Sequence, residues 1–291
     1  MCGGKERWKV QKISLIAVDL DGTLLNDRRE LTPRSLAALD RAATEGVEIV
    51  VASGRTWSNI PQPLLDRAYI RYYILLNGAQ LLDAVSGENL RVAALTRPET
   101  EMVLDELEQK GLLYSCVVDG EYCMDRVLYD RIDEYVPAES PFRHILKKAR
   151  RPVSRLRETL REEQKPIFHI VAEYCEPELR AALLRDLREC FSELNVTSST
   201  PSNVEIDAGD ADKGAALQFL LDYIGMTCEE TMTFGDSLND ISMLKFAGTG
   251  VAMGNAVPEV RAAADYAAMT NSVDGVAREI EKIIQKKEKD V

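Results

Sequence analysis

The 291-residue chain contains no apolar run long enough to cross a bilayer, and Met1–Trp8 lack the apolar centre of a secretory signal. These two absences predict a cytoplasmic protein with no membrane partner. Positive charge is also short: 36 Lys and Arg stand against 48 Asp and Glu, a net charge of −12. That balance argues against nucleic acid as a partner. An anionic small substrate stays open, because a bound cation can invert the local field. Histidine is nearly missing, with only His144 and His169. The six cysteines, Cys2, Cys116, Cys123, Cys175, Cys190 and Cys228, form no C-x-x-C pair. A zinc site is therefore not expected, and reduced, mostly buried thiols are. There is no internal repeat and no low-complexity tract.

Ordinary globular material is present in quantity, 45% apolar and 29% charged residues, enough for one large domain or two smaller ones. The first segment alternates strand and helix. Ile13–Val18 reads as a strand, Thr32-Pro33 as a helix start closed by Gly46, Val47–Ala52 as a second strand and Tyr72–Leu76 as a third. A helix over Trp57–Ala68 is expected, bent or delayed by Pro61 and Pro63. This repetition implies a parallel sheet with helical crossovers. From residue 83 to 203 charge rises and the punctuation loosens. Helices are predicted at 98–110, 153–163 and 177–190, with strands near 113–118, 121–124, 167–173 and 194–198. The basic run Lys147–Arg151 reads as a solvated face or loop. The alternating pattern returns at Val204. Asp212 can cap a helix that reaches Tyr223 and stops at Gly225; a strand at Thr231–Phe234, a helix over 238–246 and a strand at Gly250–Met253 follow, before a charged helix from Val273. The fold class is α/β, a doubly wound core formed by 1–82 and 204–291 with an α+β insert at 83–203.

The chemistry-bearing residues fall at the ends of these elements. Asp19-Leu20-Asp21-Gly22-Thr23 follows the first strand and Ser53-Gly54-Arg55 the second. Lys213 begins a late helix, and Asp236, Asn239 and Asp240 follow the strand after it. Open parallel sheets gather their strand tips along one edge, where ligands bind. Two acids two residues apart repel unless a cation or a proton intervenes. Carboxylates, a hydroxyl, backbone N–H groups and one ammonium suit a phosphoryl group held against Mg²⁺.

These residues resemble the four motifs of the haloacid dehalogenase superfamily of phosphatases: Asp19–Thr23, Ser53–Arg55, Lys213 and Gly235–Asp240. Asn77-Gly78-Ala79, Gly250–Ala256, Ala264-Asp265, Asn271 and Asp274–Val276 are similar to its Cof-type branch, which carries an α/β cap where this chain has 83–203. The resemblance implies a Rossmann-like core, and roles residue by residue. Asp19 would be the nucleophile and form an aspartyl-phosphate. Asp21 would act as acid and base and lend its carbonyl to Mg²⁺. Ser53 and Lys213 would hold the transferring phosphoryl group. Asp236 and Asp240 would complete the metal set of Asp19 and Asp21. Gly54, Arg55, Asn77, Asn239 and Asn271 would serve substrate binding, Asn239 by orienting the site. The substrate would be a small phosphorylated metabolite, a sugar phosphate first among them, with pyridoxal phosphate, a nucleotide or a flavin-precursor phosphate also open. Substrate choice would sit in the insert. Two departures stand out: Ser53 replaces the threonine common in the family, and Gly209-Asp210-Ala211-Asp212 replaces a Gly-Val-Ser lead-in to the lysine.

Plainer readings exist for each piece. Asp-x-Asp-Gly also opens calcium loops, but Leu24 stands at the sixth position, where an EF-hand needs glycine. Ser53–Arg55 alone is an ordinary turn, Lys213 alone a solvated helix start, and the two histidines read as structural. A phosphotransferase or mutase with the same aspartyl-phosphate, and a non-catalytic phosphate-binding regulator, are the rival functions.

Overall fold

The computed structural model describes residues 12–118, 120–163, 166–173, 176–200 and 202–289. The expected absence of a signal segment at Met1–Trp8 concerns residues outside this set, as do Cys2 and Cys175. The chain forms two compact units. The first holds the described residues up to Arg55, then Asn59–Val92 and Asp212 onward; the second holds Thr56–Ser58 and Ala93–Ala211.

Fourteen strands are formed among the described residues. In chain order they are β1 (Leu15–Val18), β2 (Glu48–Ala52), β3 (Tyr72–Leu75), β4 (Gln80–Asp83), β5 (Glu88–Val92), β6 (Leu113–Val118), β7 (Glu121–Asp125), β8 (Arg151–Val153), β9 (Ile170–Glu173), β10 (Asn195–Thr197), β11 (Val204–Asp207), β12 (Thr231–Gly235), β13 (Thr249–Ala252) and β14 (Tyr266–Ala267). The first unit is an eight-stranded sheet in the order β14-β13-β12-β1-β2-β3-β4-β5. Its centre is parallel, and Val18 at the end of β1 stands opposite both Phe234 and Val51. This register aligns the carboxyl ends of β1, β2 and β12. The central strands are apolar runs because helices cover parallel sheets on both faces. Leu15, Ala17, Val50 and Ala52 pack with Leu217, Leu220 and Leu221 of the helix Lys213–Ile224.

Local chemistry sets the helix ends. The Thr32 side chain accepts from Ser35 N–H, with Pro33 at the first helical position, and opens Pro33–Thr44. Asp212 caps Lys213–Ile224 by accepting from Ala215 N–H, and Gly225 ends it at φ +72°. The helix predicted over 57–68 is only a turn at Trp57–Asn59 and another at Gln62–Leu65. Pro61 and Pro63 remove donors and disfavour helical conformation in the residues before them.

The second unit is a six-stranded sheet, β10-β11-β9-β6-β7-β8, antiparallel except for β7 with β8. Helices Arg97–Gln109, Leu156–Glu163 and Pro177–Cys190 bury Val103, Leu104, Leu107, Leu156, Leu183 and Leu187 against its Cys116, Ile170, Ala172 and Ile206. The basic run is divided. Lys147 and Lys148 end the helix Pro141–Ala149, and Arg151 begins β8.

Strand pairing moves the joints between the two parts. Residues 83–92 belong to the first sheet, since β4 pairs antiparallel with β3 and β5 with β4. Residues 204–207 belong to the second, since β11 pairs with β9 and β10. The joints therefore lie at 92/93 and 211/212, not at 82/83 and 203/204. The rise in charge after Leu82 belongs to the half-exposed edge strand β5, Glu88-Asn89-Leu90-Arg91-Val92. That rise marks a sheet edge and not a boundary.

Candidate active site

Asp19 leaves β1 with its N–H donating to the Phe234 carbonyl at 3.1 Å, which pins it to the end of β12. Its carboxylate oxygen Oδ1 accepts from Lys213 Nζ at 2.7 Å, and the same ammonium donates to Asp240 Oδ1 at 2.6 Å. Lys213 is fully buried. Burial pulls its pKa down, but Asp19 and Asp240 outweigh that and hold it above its ordinary value. It is a fixed positive charge.

Asp19, Asp236 and Asp240 each offer an oxygen, all within 4.8 Å of one another. Burial, then the charges of Asp240 and Asp236, push the Asp19 carboxyl well up, against the pull of Lys213. Asp236 is pushed up to about 7 by burial and the Asp240 charge. Three carboxylates facing one ammonium leave an excess of two negative charges. The donors are hard oxygens, as a Mg²⁺-like cation requires. The group therefore fits a divalent metal, which would offset the repulsion that raises these pKa values.

The supporting contacts show how each acid is aimed. Asp240 Oδ2 accepts from the N–H groups of Asp236 and Ser237 at 2.9 and 3.0 Å, so the turn after β12 closes around it. With Lys213 on Oδ1, both Asp240 oxygens are already engaged. Thr23 Oγ1 donates to Asp236 Oδ1 at 3.1 Å, and Ser237 Oγ to its Oδ2 at 3.3 Å. Gly22 sits at φ +79°, and a Cβ there would strike the Asp236 carboxylate.

Ser53 is buried at the end of β2, and its hydroxyl oxygen accepts from Arg55 N–H at 3.2 Å. The hydroxyl hydrogen is left to donate. Asn77, at φ +55° after β3, accepts from Asn239 Nδ2 at 2.9 Å. That contact joins the β3 tip to the turn after β12. Asn239 Oδ1 is buried with no hydrogen-bond partner among the described residues. Gly54 lies so close to Asn77 that a Cβ would stand 2.9 Å from Asn77 Oδ1.

Two predicted substrate residues are engaged elsewhere. Arg55 donates from Nε and Nη2 to the two Asp21 oxygens, both at 2.7 Å. Burial opposes ionisation of Asp21, but the Arg55 hydrogen bonds and charge win and hold its carboxyl below the usual value. Asn271 donates to the Leu25 carbonyl at 3.0 Å and to Asp27 Oδ1 at 3.1 Å, tying down the loop after the first motif. The structure thus brings together Asp19, Lys213, Asp236 and Asp240, pairs Asp21 with Arg55, pairs Asn77 with Asn239, and leaves Asn271 in a loop tie.

Sequence reasoning missed three supports: Thr23 on Asp236, Asn255, and the Asp21–Arg55 pair. Asn255 donates to the Gly22 carbonyl at 2.7 Å and accepts from Asn271 N–H at 3.1 Å. Its signal was the Gly254-Asn255 turn directly after β13, a strand tip on the same edge. His169 proves to be a buried partner of Asp207 at 2.5 Å. None of the described cysteines Cys116, Cys123, Cys190 and Cys228 is in a disulfide; Cys116 and Cys123 are buried, Cys228 half-buried and Cys190 exposed. No helix among the described residues is long and apolar enough to cross a membrane.

Residues 16–280 match the family described as haloacid dehalogenase-like hydrolase. The chain is 31% identical over 268 residues to a Bacillus subtilis 5-amino-6-(5-phospho-D-ribitylamino)uracil phosphatase, covering 92% of this chain and 94% of the relative. It is 30% identical over 280 residues to the Escherichia coli pyridoxal phosphate phosphatase, covering 91% and 96%. Among solved structures, a haloacid dehalogenase-like hydrolase from Bacteroides thetaiotaomicron superimposes with a TM-score of 0.76 at 31% identity, covering 94% of this chain and 100% of that one. The chain belongs to the haloacid dehalogenase-like hydrolases, as an enzyme of their Cof-type phosphatase branch.

Proposed function

We propose that the chain hydrolyses small phosphomonoesters, sugar phosphates or related phosphometabolites, through an aspartyl-phosphate on Asp19. The observation that carries this reading is the buried Lys213 ammonium bridging Asp19 and Asp240 beside Asp236, with Asp21 two residues from the nucleophile. Asp19 attacks phosphorus in line, and the bond from phosphorus to the ester oxygen breaks. Asp21, protonated for this step against the pull of Arg55, gives its proton to the departing alcohol. Asp21 then takes a proton from water, whose oxygen attacks the phosphorus of the acyl phosphate. Inorganic phosphate leaves and Asp19 is restored. Lys213 offsets charge on the nucleophile, and the Ser53 hydroxyl donates to a phosphoryl oxygen. Asp19, Asp236 and the Asp21 carbonyl would hold Mg²⁺, with Asp240 steering Lys213 and the loop. The ion would supply positive charge toward the phosphoryl oxygens. Asn239 and Asn77 orient this edge.

Relatives named for 5-amino-6-(5-phospho-D-ribitylamino)uracil and for pyridoxal phosphate support a phosphorylated small metabolite as substrate. We assign the choice among such substrates to the second unit. That none of the described cysteines is in a disulfide supports a cytoplasmic setting. The test is phosphate release across a panel of phosphorylated metabolites with Mg²⁺ present. Turnover of a subset, abolished by Asp19→Asn, is expected. Binding without phosphate release from any member would overturn the reading in favour of a regulator. Transfer of the phosphoryl group to a second hydroxyl in place of water would make the enzyme a phosphotransferase.

A further inference from the structure

Arg55 is held at three places. Its backbone N–H donates to Ser53 Oγ at 3.2 Å, and its carbonyl accepts from Leu76 N–H at 3.2 Å. Its Nη1 donates to the Asn59 carbonyl at 2.8 Å. With the chain and one end of the guanidinium fixed, the other edge, Nε and Nη2, meets both oxygens of Asp21 at 2.7 Å. Arg29 lies farther out, its Nε 3.9 Å from Asp21 Oδ1, too far for a hydrogen bond. Each nitrogen of Arg55 already donates to a protein oxygen, so the guanidinium plane is held in place like a strut. The planar fork sets the rotation and tilt of the carboxylate as well as its place, which a lysine cannot do.

We propose that Arg55 is a positioning residue for Asp21, fixing the orientation from which that carboxyl serves the leaving oxygen and then water, and that it is not a substrate-phosphate ligand. This rests on the reading of Asp21 as the acid and base. Turnover passes through Asp21 twice, so loss of the strut slows both passages. A substrate ligand would instead act on binding. The two roles separate in a double-mutant cycle, because residues acting through one another are non-additive.

The experiment measures steady-state kcat and KM, and the steady-state level of phosphorylated enzyme, for wild type, Arg55→Ala, Asp21→Asn and the double variant. The substrate is p-nitrophenyl phosphate, with saturating Mg²⁺. Circular dichroism melts accompany each protein. Arg55→Ala is expected to lower kcat at least about tenfold, part of the roughly 10²–10⁴-fold that acid–base help supplies. KM should stay within about twofold, and phosphorylated enzyme should accumulate. In the Asp21→Asn background the same change should cost less than about twofold. Arg55→Lys, which keeps the charge without the fork, should behave like Arg55→Ala, and it carries the test if the alanine variant does not fold. A rise in KM that is equally large with and without Asp21 would overturn the proposal and return Arg55 to substrate binding. A parallel Asp19→Asn protein separates the two levels of inference. If it still turns over, the reading of the whole site fails; if it is dead while the cycle is additive, only the role of Arg55 fails.

Discussion

Each unit buries a cluster of charged side chains, and the two clusters are balanced differently. In the first, Asp19, Asp236 and Asp240 face the single ammonium of Lys213. In the second, Glu173 is paired with Arg150 at 2.6 Å and with the Ser115 hydroxyl at 2.6 Å. Asp207 is paired there with His169, while Glu205 accepts from Asn203 Nδ2 at 2.8 Å and from the Ser199 hydroxyl. The Arg150 guanidinium also lies over the Tyr122 ring, 4.1 Å from its centre. Counted by charge, the three buried acids of the second cluster, Glu173, Glu205 and Asp207, face two cations, Arg150 and a protonated His169. The first cluster is left two negative charges in excess. The more nearly matched cluster reads as structure, whereas the larger buried excess of one sign marks a place built for something that comes and goes.

The comparison breaks most visibly at Asp19. Asp19→Asn removes the proposed nucleophile, and kcat should fall by more than about 10⁴-fold, with no phosphorylated protein in acid-quenched samples. Turnover near the wild-type rate would dissolve the distinction between the clusters. Asp21→Asn should cost roughly 10²–10⁴-fold. A good leaving group such as p-nitrophenol should partly rescue the first step in that variant, leaving slow hydrolysis and a phosphorylated enzyme that can be trapped. Equal losses for good and poor leaving groups would count against Asp21 as the proton donor.

The more nearly matched cluster should answer through stability. His169→Gln leaves Asp207 buried without a cationic partner, at a cost of about 3–5 kcal/mol in denaturant unfolding. Burial opposes the charge on His169, but Asp207 prevails and raises its pKa. A raised folded pKa means that the unfolded state gives up its proton first. The pair's contribution is therefore complete below about pH 6.5 and fades as pH climbs through the raised value. Stability measured from pH 6 upward should decline in wild type, and that component should be missing in His169→Gln. Identical pH slopes in the two proteins would show that the pair is not ionised.

The sequence made the Asp19–Thr23 loop legible because Asp19, Asp21 and Gly22 sit at the junction of a buried strand and a tight turn. Lys213 was legible because Asp212 reads as a helix cap. Both are local signals. What stayed hidden depended on contacts across the chain. The pairing of Arg55 with Asp21 spans 34 residues, and the contact of Asn77 with Asn239 spans 162. Neither leaves a trace in spacing. The β4–β5 hairpin was passed over because Asn77-Gly78 reads as an end, while backbone pairing makes it the start of an antiparallel edge. The fold class, the parallel centre and the helices at 97–109 and 177–190 followed from periodicity and caps. The short helices Arg126–Asp130 and Ile132–Tyr135 carry too few turns for a periodic signal.

The central claim, that the charge excess at Asp19, Asp236 and Asp240 is filled by a divalent cation, is tested most directly by unfolding in EDTA and in graded Mg²⁺. Wild type should gain stability with saturation, by about 2.7 kcal/mol at one hundred times the dissociation constant. Asp236→Ala should lose the Mg²⁺ response without losing stability in EDTA, because removing one of three like charges relieves repulsion. An unfolding curve indifferent to Mg²⁺ in wild type, together with full phosphatase activity in EDTA, would contradict the account.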